Sequence, residues 1–200
     1  MIATIAAAAI RFLCGARAHG HPDAHCSRPV VYFANHTSHL DFPLVWAALD
    51  PRIRAVTRPV AAADYWGRSR SRRILALGVF NAILIDRGHV SRRNHPVKLL
   101  ADAVAHGQSL IVFPEGTRSS DARIRPFKSG LFYLTKALPD TLFIPVYIDN
   151  LNRILPKGEF IPVPMMSSIT FGLPMEAHAG EHRNAFLARA LNALEAMAPL

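Results

Sequence analysis

Short apolar runs alternate along the chain with longer stretches whose apolar positions recur at helical spacing. Residues 29–34 (PVVYFA) read as a buried strand that ends at a polar turn. Residues 52–57 (RIRAVT) alternate in polarity and read as a second strand. Residues 82–86 (AILID), 109–113 (SLIVF), 141–149 (TLFIPVYID) and 167–171 (SSITF) read as the third to sixth. Helical patterns cover residues 40–49, 69–77, 94–106 and 182–197. In the third of these, Val97, Leu100, Ala101 and Val104 share one face, and Gly107 stops the helix. In the last, Phe186, Leu187, Ala190, Leu191 and Leu194 form the apolar side. Strand and helix in alternation predict an α/β fold, a single-domain sandwich over residues 1–200 with a mostly buried mixed sheet flanked by helices. No repeat or low-complexity linker interrupts it. Prolines between 139 and 174 predict loops that wrap the sheet.

Residues 1–28 stand apart as an N-terminal helical or membrane-surface segment. Its start, MIATIAAAAIRFL, has an apolar run of about ten residues before Arg11, where a membrane span needs ~20. Two readings stay open: a buried first helix, or a short helix that dips into one leaflet and is followed by Arg11 and Arg17.

Composition is that of a globular protein: half of the 200 residues are apolar and 18% are charged. Lys and Arg outnumber Asp and Glu by 23 to 14, a net charge of +9. Such an excess points to an anionic partner: nucleic acid, lipid headgroups or a phosphorylated substrate. The cluster Arg68, Arg70, Arg72 and Arg73, ahead of an apolar helix, is either a solvated face or a headgroup contact. Two cysteines without Cys-x-x-Cys spacing argue against a disulfide scaffold and a cysteine zinc site, and make a reducing compartment the default.

Two segments carry chemistry. The first is Asn35-His36-Thr37-Ser38-His39-Leu40-Asp41, where the first strand ends and a helix begins. Ligands bind at such strand ends in open α/β sheets. A histidine followed five residues later by an aspartate can fold back into a hydrogen-bonded pair in which the carboxylate sets the imidazole tautomer. No serine elbow accompanies it, so a substrate hydroxyl is expected as the nucleophile ahead of a protein side chain. Three other readings compete: His36, His39 and Asp41 as metal ligands, an Asn35-His36-Thr37 glycosylation acceptor, and simple capping. The second segment is Phe113-Pro114-Glu115-Gly116-Thr117-Arg118-Ser119, directly after a strand. Arg118 suits a phosphate because its planar fork donates two parallel hydrogen bonds. Glu115 is expected to orient Arg118, to bind an acceptor hydroxyl, or to form a structural ion pair. Asp86-Arg87-Gly88 is a further turn at a strand end, and Phe127-Lys128-Ser129-Gly130 brings another cation. Ile144-Pro145-Val146 reads as a bulged or edge strand.

In this order the pieces resemble the glycerolipid acyltransferase superfamily, in particular bacterial 1-acylglycerol-3-phosphate acyltransferases. The likeness rests on NHTSHLD, on ILIDRG at residues 83–88, on FPEGTRS at residues 113–119, and on FIPVYID, and it runs from about residue 30 to 149. The resemblance implies that His36 is the general base and Asp41 its orienting partner. It implies that Glu115, Gly116, Thr117 and Arg118 shape a pocket for the acceptor phosphate, with Arg87 close by and Arg58 and Lys128 as further cations. It implies no metal and no cofactor. The donor is an acyl thioester on coenzyme A or acyl carrier protein. The acceptor is a lysophospholipid, 1-acyl-glycerol-3-phosphate first, or else another lyso-lipid such as a lyso-aminolipid. The expected partner is a lipid surface and not nucleic acid, and the expected place is the cytoplasmic face of the cell membrane, peripheral or monotopic. The rival classes are a basic lipid-binding module without chemistry and a metal-dependent hydrolase.

Overall fold

Val30–Ala34 (β2) is buried along its whole length and forms the middle of the sheet. Its side chains alternate: Val30, Tyr32 and Ala34 enter one apolar core, Val31 and Phe33 the other. A strand buried on both faces needs a continuous apolar run, which VVYFA supplies. The computed structural model describes residues 2–20, 28–86, 88, 95–119, 123–151 and 166–199.

In chain order the elements are α1 (Ile2–Leu13), β1 (Arg17–His19), β2, α2 (Asp41–Ala48), α3 (Pro51–Val56), β3 (Thr57–Ala62), α4 (Ala63–Trp66) and α5 (Arg70–Ile74). A π-helical turn, Leu75–Val79, continues α5. β4 (Ile83–Ile85), α6 (Pro96–Ala105), β5 (Ser109–Val112), α7 (Gly130–Ala137), β6 (Leu142–Asp149), β7 (Ser168–Phe171) and α8 (Arg183–Glu195) follow. The seven strands lie in the order β1-β7-β6-β2-β5-β3-β4. All neighbours are parallel except β6 and β7, so the sheet is mixed as expected. One face packs against α1, α2 and α3, the other against α6, α7 and α8.

Residues 52–57, expected as the second strand, are helical instead. Pro51 sits at the start of α3, and the Asp50 carboxylate accepts the Arg52 N–H at 2.9 Å, a capping arrangement that outweighs the alternating pattern. The strand begins at Thr57 and alternates buried and half-buried positions to Ala62. β1 was not anticipated: its three residues are exposed, and pairing with Ser168–Thr170 alone defines it. α7 was also missed. Pro145 is not on an edge, since β6 lies between β2 and β7. It is tolerated where the ladder to β7 stops: paired residues begin at Val146, and the Gly172 N–H donates to the Pro145 carbonyl. Much of the proline-rich stretch expected as loop lies outside the described residues.

Candidate active site

The carboxyl ends of β2 and β5, adjacent parallel strands, deliver the two motif loops side by side. Asn35 anchors the first loop to the strand on its other flank: its side-chain amide donates to Ile148 O and accepts Ile148 N–H, both at 2.8 Å. The chain then turns, and Asp41 opens α2. One oxygen of the fully buried Asp41 carboxylate takes three donors: Thr37 N–H at 2.6 Å, Ser38 N–H at 2.9 Å and His36 Nδ1 at 2.7 Å. A carboxylate only accepts, so His36 carries a proton on Nδ1, and in the neutral ring the lone pair lies on Nε2. The His36 ring stacks on Phe113, with centroids 4.4 Å apart, and is partly exposed to a cavity.

The second loop braces the first. Glu115 Oε1 accepts the His36 N–H at 2.7 Å, and Oε2 accepts the Arg125 N–H at 3.0 Å. His36 O accepts the Ser119 N–H at 2.7 Å. Burial pushes the Glu115 carboxyl above its ordinary range, against the pull of the two backbone donors. Glu115 therefore differs from expectation: it is 3% exposed, both its oxygens serve main-chain N–H groups, and it does not line the cavity. Gly116 adopts φ +73°, and a side chain there would also collide with Lys128, whose ammonium carbon and nitrogen come within 2.8 Å of the Cβ position.

The cavity encloses about 590 Å³. His36, Gly116, Thr117, Arg118 and Lys128 line it together. Arg118 Nη1 is buried, with no acceptor among the described residues, an arrangement that suits an anionic ligand. Val60, Ile85, Val97, Leu100, Leu131 and Leu134 make its apolar part. Sequence reasoning missed this wall. Its residues come from four elements, and each reads locally as ordinary core.

Arg58 is not part of the site. It pairs with Leu110 near the start of β5, at the opposite end of the sheet from the motif loops. Its guanidinium donates to Asn81 O at 2.8 Å and Gln108 Oε1 at 3.1 Å. The placement followed from the misread second strand. Arg87 lies outside the described residues. His39 lines the cavity but does not join His36 and Asp41 as a ligand set. It stacks on Tyr65 at 3.6 Å, and Arg72 sits over that same ring at 4.3 Å. Burial first, then the neighbouring Arg118, His36 and Arg72, lowers His39 to about 4. Among the described residues no three His, Cys, Asp or Glu side chains gather as metal ligands.

The chain is 30% identical over 146 residues to a 1-acyl-sn-glycerol-3-phosphate acyltransferase of Limnanthes alba, covering 70% of this chain and 49% of that protein. It is 28% identical over 171 residues to a Dictyostelium discoideum protein named Taffazin, covering 78% and 55%. The chain spans about half the length of these curated relatives. Its fold matches the crystal structure of the 1-acyl-sn-glycerophosphate (LPA) acyltransferase PlsC from Thermotoga maritima, with TM-score 0.76 at 18% identity, over 98% of this chain and 76% of that one. The sequence model of the family described as Acyltransferase matches residues 16–149, a stretch that runs from β1 through both motif loops to the last residue of β6. On that match, and with the His36–Asp41 pair and the FPEGTRS loop at one cavity, the chain belongs to the acyltransferase family.

Proposed function

We propose that the chain transfers a fatty acyl group from an acyl thioester, on coenzyme A or acyl carrier protein, to the free hydroxyl of a lysophospholipid, with 1-acyl-glycerol-3-phosphate as acceptor and phosphatidic acid as product. The observation that carries the reading is the cavity shared by His36 and Arg118, whose buried Nη1 has no acceptor among the described residues. A base and an anion clamp in one space, beside an apolar wall, suit a substrate that has a hydroxyl, a phosphate and an acyl chain. Lys128 and Gly116 complete the phosphate side.

His36 Nε2 takes the acceptor's hydroxyl proton as that oxygen attacks the thioester carbonyl carbon. The tetrahedral oxyanion collapses, the C–S bond breaks, and the leaving thiolate receives the proton back from His36. Asp41 holds the ring and stabilises the transient imidazolium. Base assistance of this kind contributes ~10²–10⁴-fold, and the rest comes from orientation and electrostatics in the cavity. The substrates are the whole inventory of this scheme; it draws on no cofactor.

The acceptor is a bilayer lipid, so the reaction takes place at a membrane surface, on the cytoplasmic side. Among the described residues no helix is long and apolar enough to cross a membrane. α1 instead leaves Ile2, Ile5 and Phe12 exposed, which favours the surface-helix reading over a buried first helix.

The test is an acceptor panel against one labelled acyl-coenzyme A: lysophosphatidic acid, lysophospholipids with larger headgroups, and a lyso-aminolipid. Transfer to lysophosphatidic acid with the highest kcat/KM is expected. Transfer confined to a lyso-aminolipid, or none to any member, overturns the acceptor assignment.

A further inference from the structure

Two segments far apart in sequence share an inverted pattern. In α1 the positions turned toward the protein are Ala3, Ala6, Ala7 and Ile10, while Ile2, Ile5 and Phe12 are 70%, 63% and 90% exposed. In the stretch of α5 and its π turn, Ala76 is fully buried, and Ile74, Leu75 and Leu77 are 59%, 47% and 41% exposed. Mostly small residues face the core and large ones face outward. A helix evolved only to cover a core does the reverse. The two segments touch each other, so the exposed side chains belong to neighbouring elements. Neither segment contains an acidic residue, whereas Arg11, Arg70 and Arg73 stand exposed among the apolar side chains. Trp66 and Arg68, just ahead of α5, line the cavity that holds His36.

We propose that α1 and the α5–π segment form a single two-limbed surface that seats the chain on an anionic lipid bilayer, with the Trp66–Arg68 side of the cavity next to the lipid. The second limb is the new element. α1 alone offers one short apolar helix, and one weak anchor binds a membrane marginally. Adding Ile74, Leu75 and Leu77 beside it enlarges the buried apolar area, and the arginines add attraction to anionic headgroups. Phenylalanine, isoleucine and leucine interspersed with arginine and free of carboxylates match an acidic lipid interface in both polarity and charge. The inference deepens the proposed function, since it supplies the route by which a lipid acceptor reaches the cavity. Its test is read without turnover, so it stands or falls separately from the acyl-transfer reading.

The experiment is co-sedimentation of the full chain with phosphatidylcholine vesicles, with and without phosphatidylglycerol. Wild type binds the mixed vesicles more tightly than phosphatidylcholine alone. Ile74→Glu/Leu77→Glu weakens binding to the mixed vesicles about tenfold or more, as does Ile5→Glu/Phe12→Glu. Arg70→Gln/Arg73→Gln lowers the preference for phosphatidylglycerol, about five-fold per arginine. All six positions are exposed, so circular dichroism and melting temperature stay as in wild type. If Ile74→Glu/Leu77→Glu binds as wild type does, α1 is the sole anchor and the proposal is wrong. It is equally wrong if the protein ignores both vesicles and sediments as a dimer that the same variant splits, because the surface then receives a second copy of the chain.

Discussion

Glu115 holds the main chain of His36: its Oε1 accepts the His36 N–H at 2.7 Å across 79 residues of sequence, while its other oxygen holds Arg125. His36, the proposed base, is thus positioned from two directions, by Asp41 at the ring and by Glu115 at the backbone. This separates a positioning role for Glu115 from substrate contact.

Glu115→Ala leaves two partly buried main-chain donors without this acceptor, a loss of at most ~1–3 kcal/mol each. The variant should melt earlier and lose kcat, with KM for the acceptor nearly unchanged. Glu115→Gln keeps a side-chain oxygen for one of the donors and should recover part of both losses. A variant whose KM rises while its kcat and melting temperature hold would place the carboxylate on the substrate instead.

His36→Ala should cost about 10²–10⁴ in kcat in a protein that still folds. Asp41→Asn should cost kcat as well, and it should also destabilise. The same oxygen accepts from Thr37 and Ser38, so weakening it loosens the whole loop. Steady-state rates alongside chemical denaturation check both. Near-normal turnover in folded His36→Ala removes the base assignment.

Arg118→Ala should raise KM for a phosphorylated acceptor by about ten-fold or more, since a hydrogen bond to a charged group contributes ~1.5–3 kcal/mol. The base stays intact, so kcat at saturation should change little. Arg118→Lys should recover only part, because an ammonium cannot present the planar fork. Equal KM values for wild type and Arg118→Ala would free the guanidinium from this role.

Stability should fall with acid over a defined window. His39 drops from 6.5 to about 4 in the folded chain, because it is buried among positive charges. The unfolded chain therefore binds more protons between those values. The favourable contribution is complete above about 6.5 and is lost as pH falls toward 4. Replacing His39 with Gln should flatten urea stability against pH in that window. An unchanged slope in the variant would show that other groups carry it.

Local chemistry was legible in the sequence where residues close in sequence determine it. His36 and Asp41 lie five apart across a strand-to-helix turn, and such a turn brings them into hydrogen-bond reach unaided. Arg118 follows a strand with a proline and a glycine between, which directs the loop away from the sheet. Periodicity likewise located α6 and α8, because each has one apolar face.

The alternating RIRAVT segment failed because the pattern competes with a local cap. Asp50 and Pro51 start a helix more firmly than alternation starts a strand, and Arg58 went to the wrong end of the sheet with it. β1 left no trace because all its residues are exposed.

By itself the sequence determined the α/β class, the His36–Asp41 pair and the place of Arg118 in its loop, since each depends on spacing along a few residues of chain. Only the tertiary structure decided that Glu115 serves the backbone of His36, that Arg58 lies apart, that the cavity wall is drawn from four elements, and that two apolar limbs share one surface. Those relationships join separate elements, 79 residues apart in the case of His36 and Glu115. Their partners are chosen by strand order and packing, which no local pattern encodes.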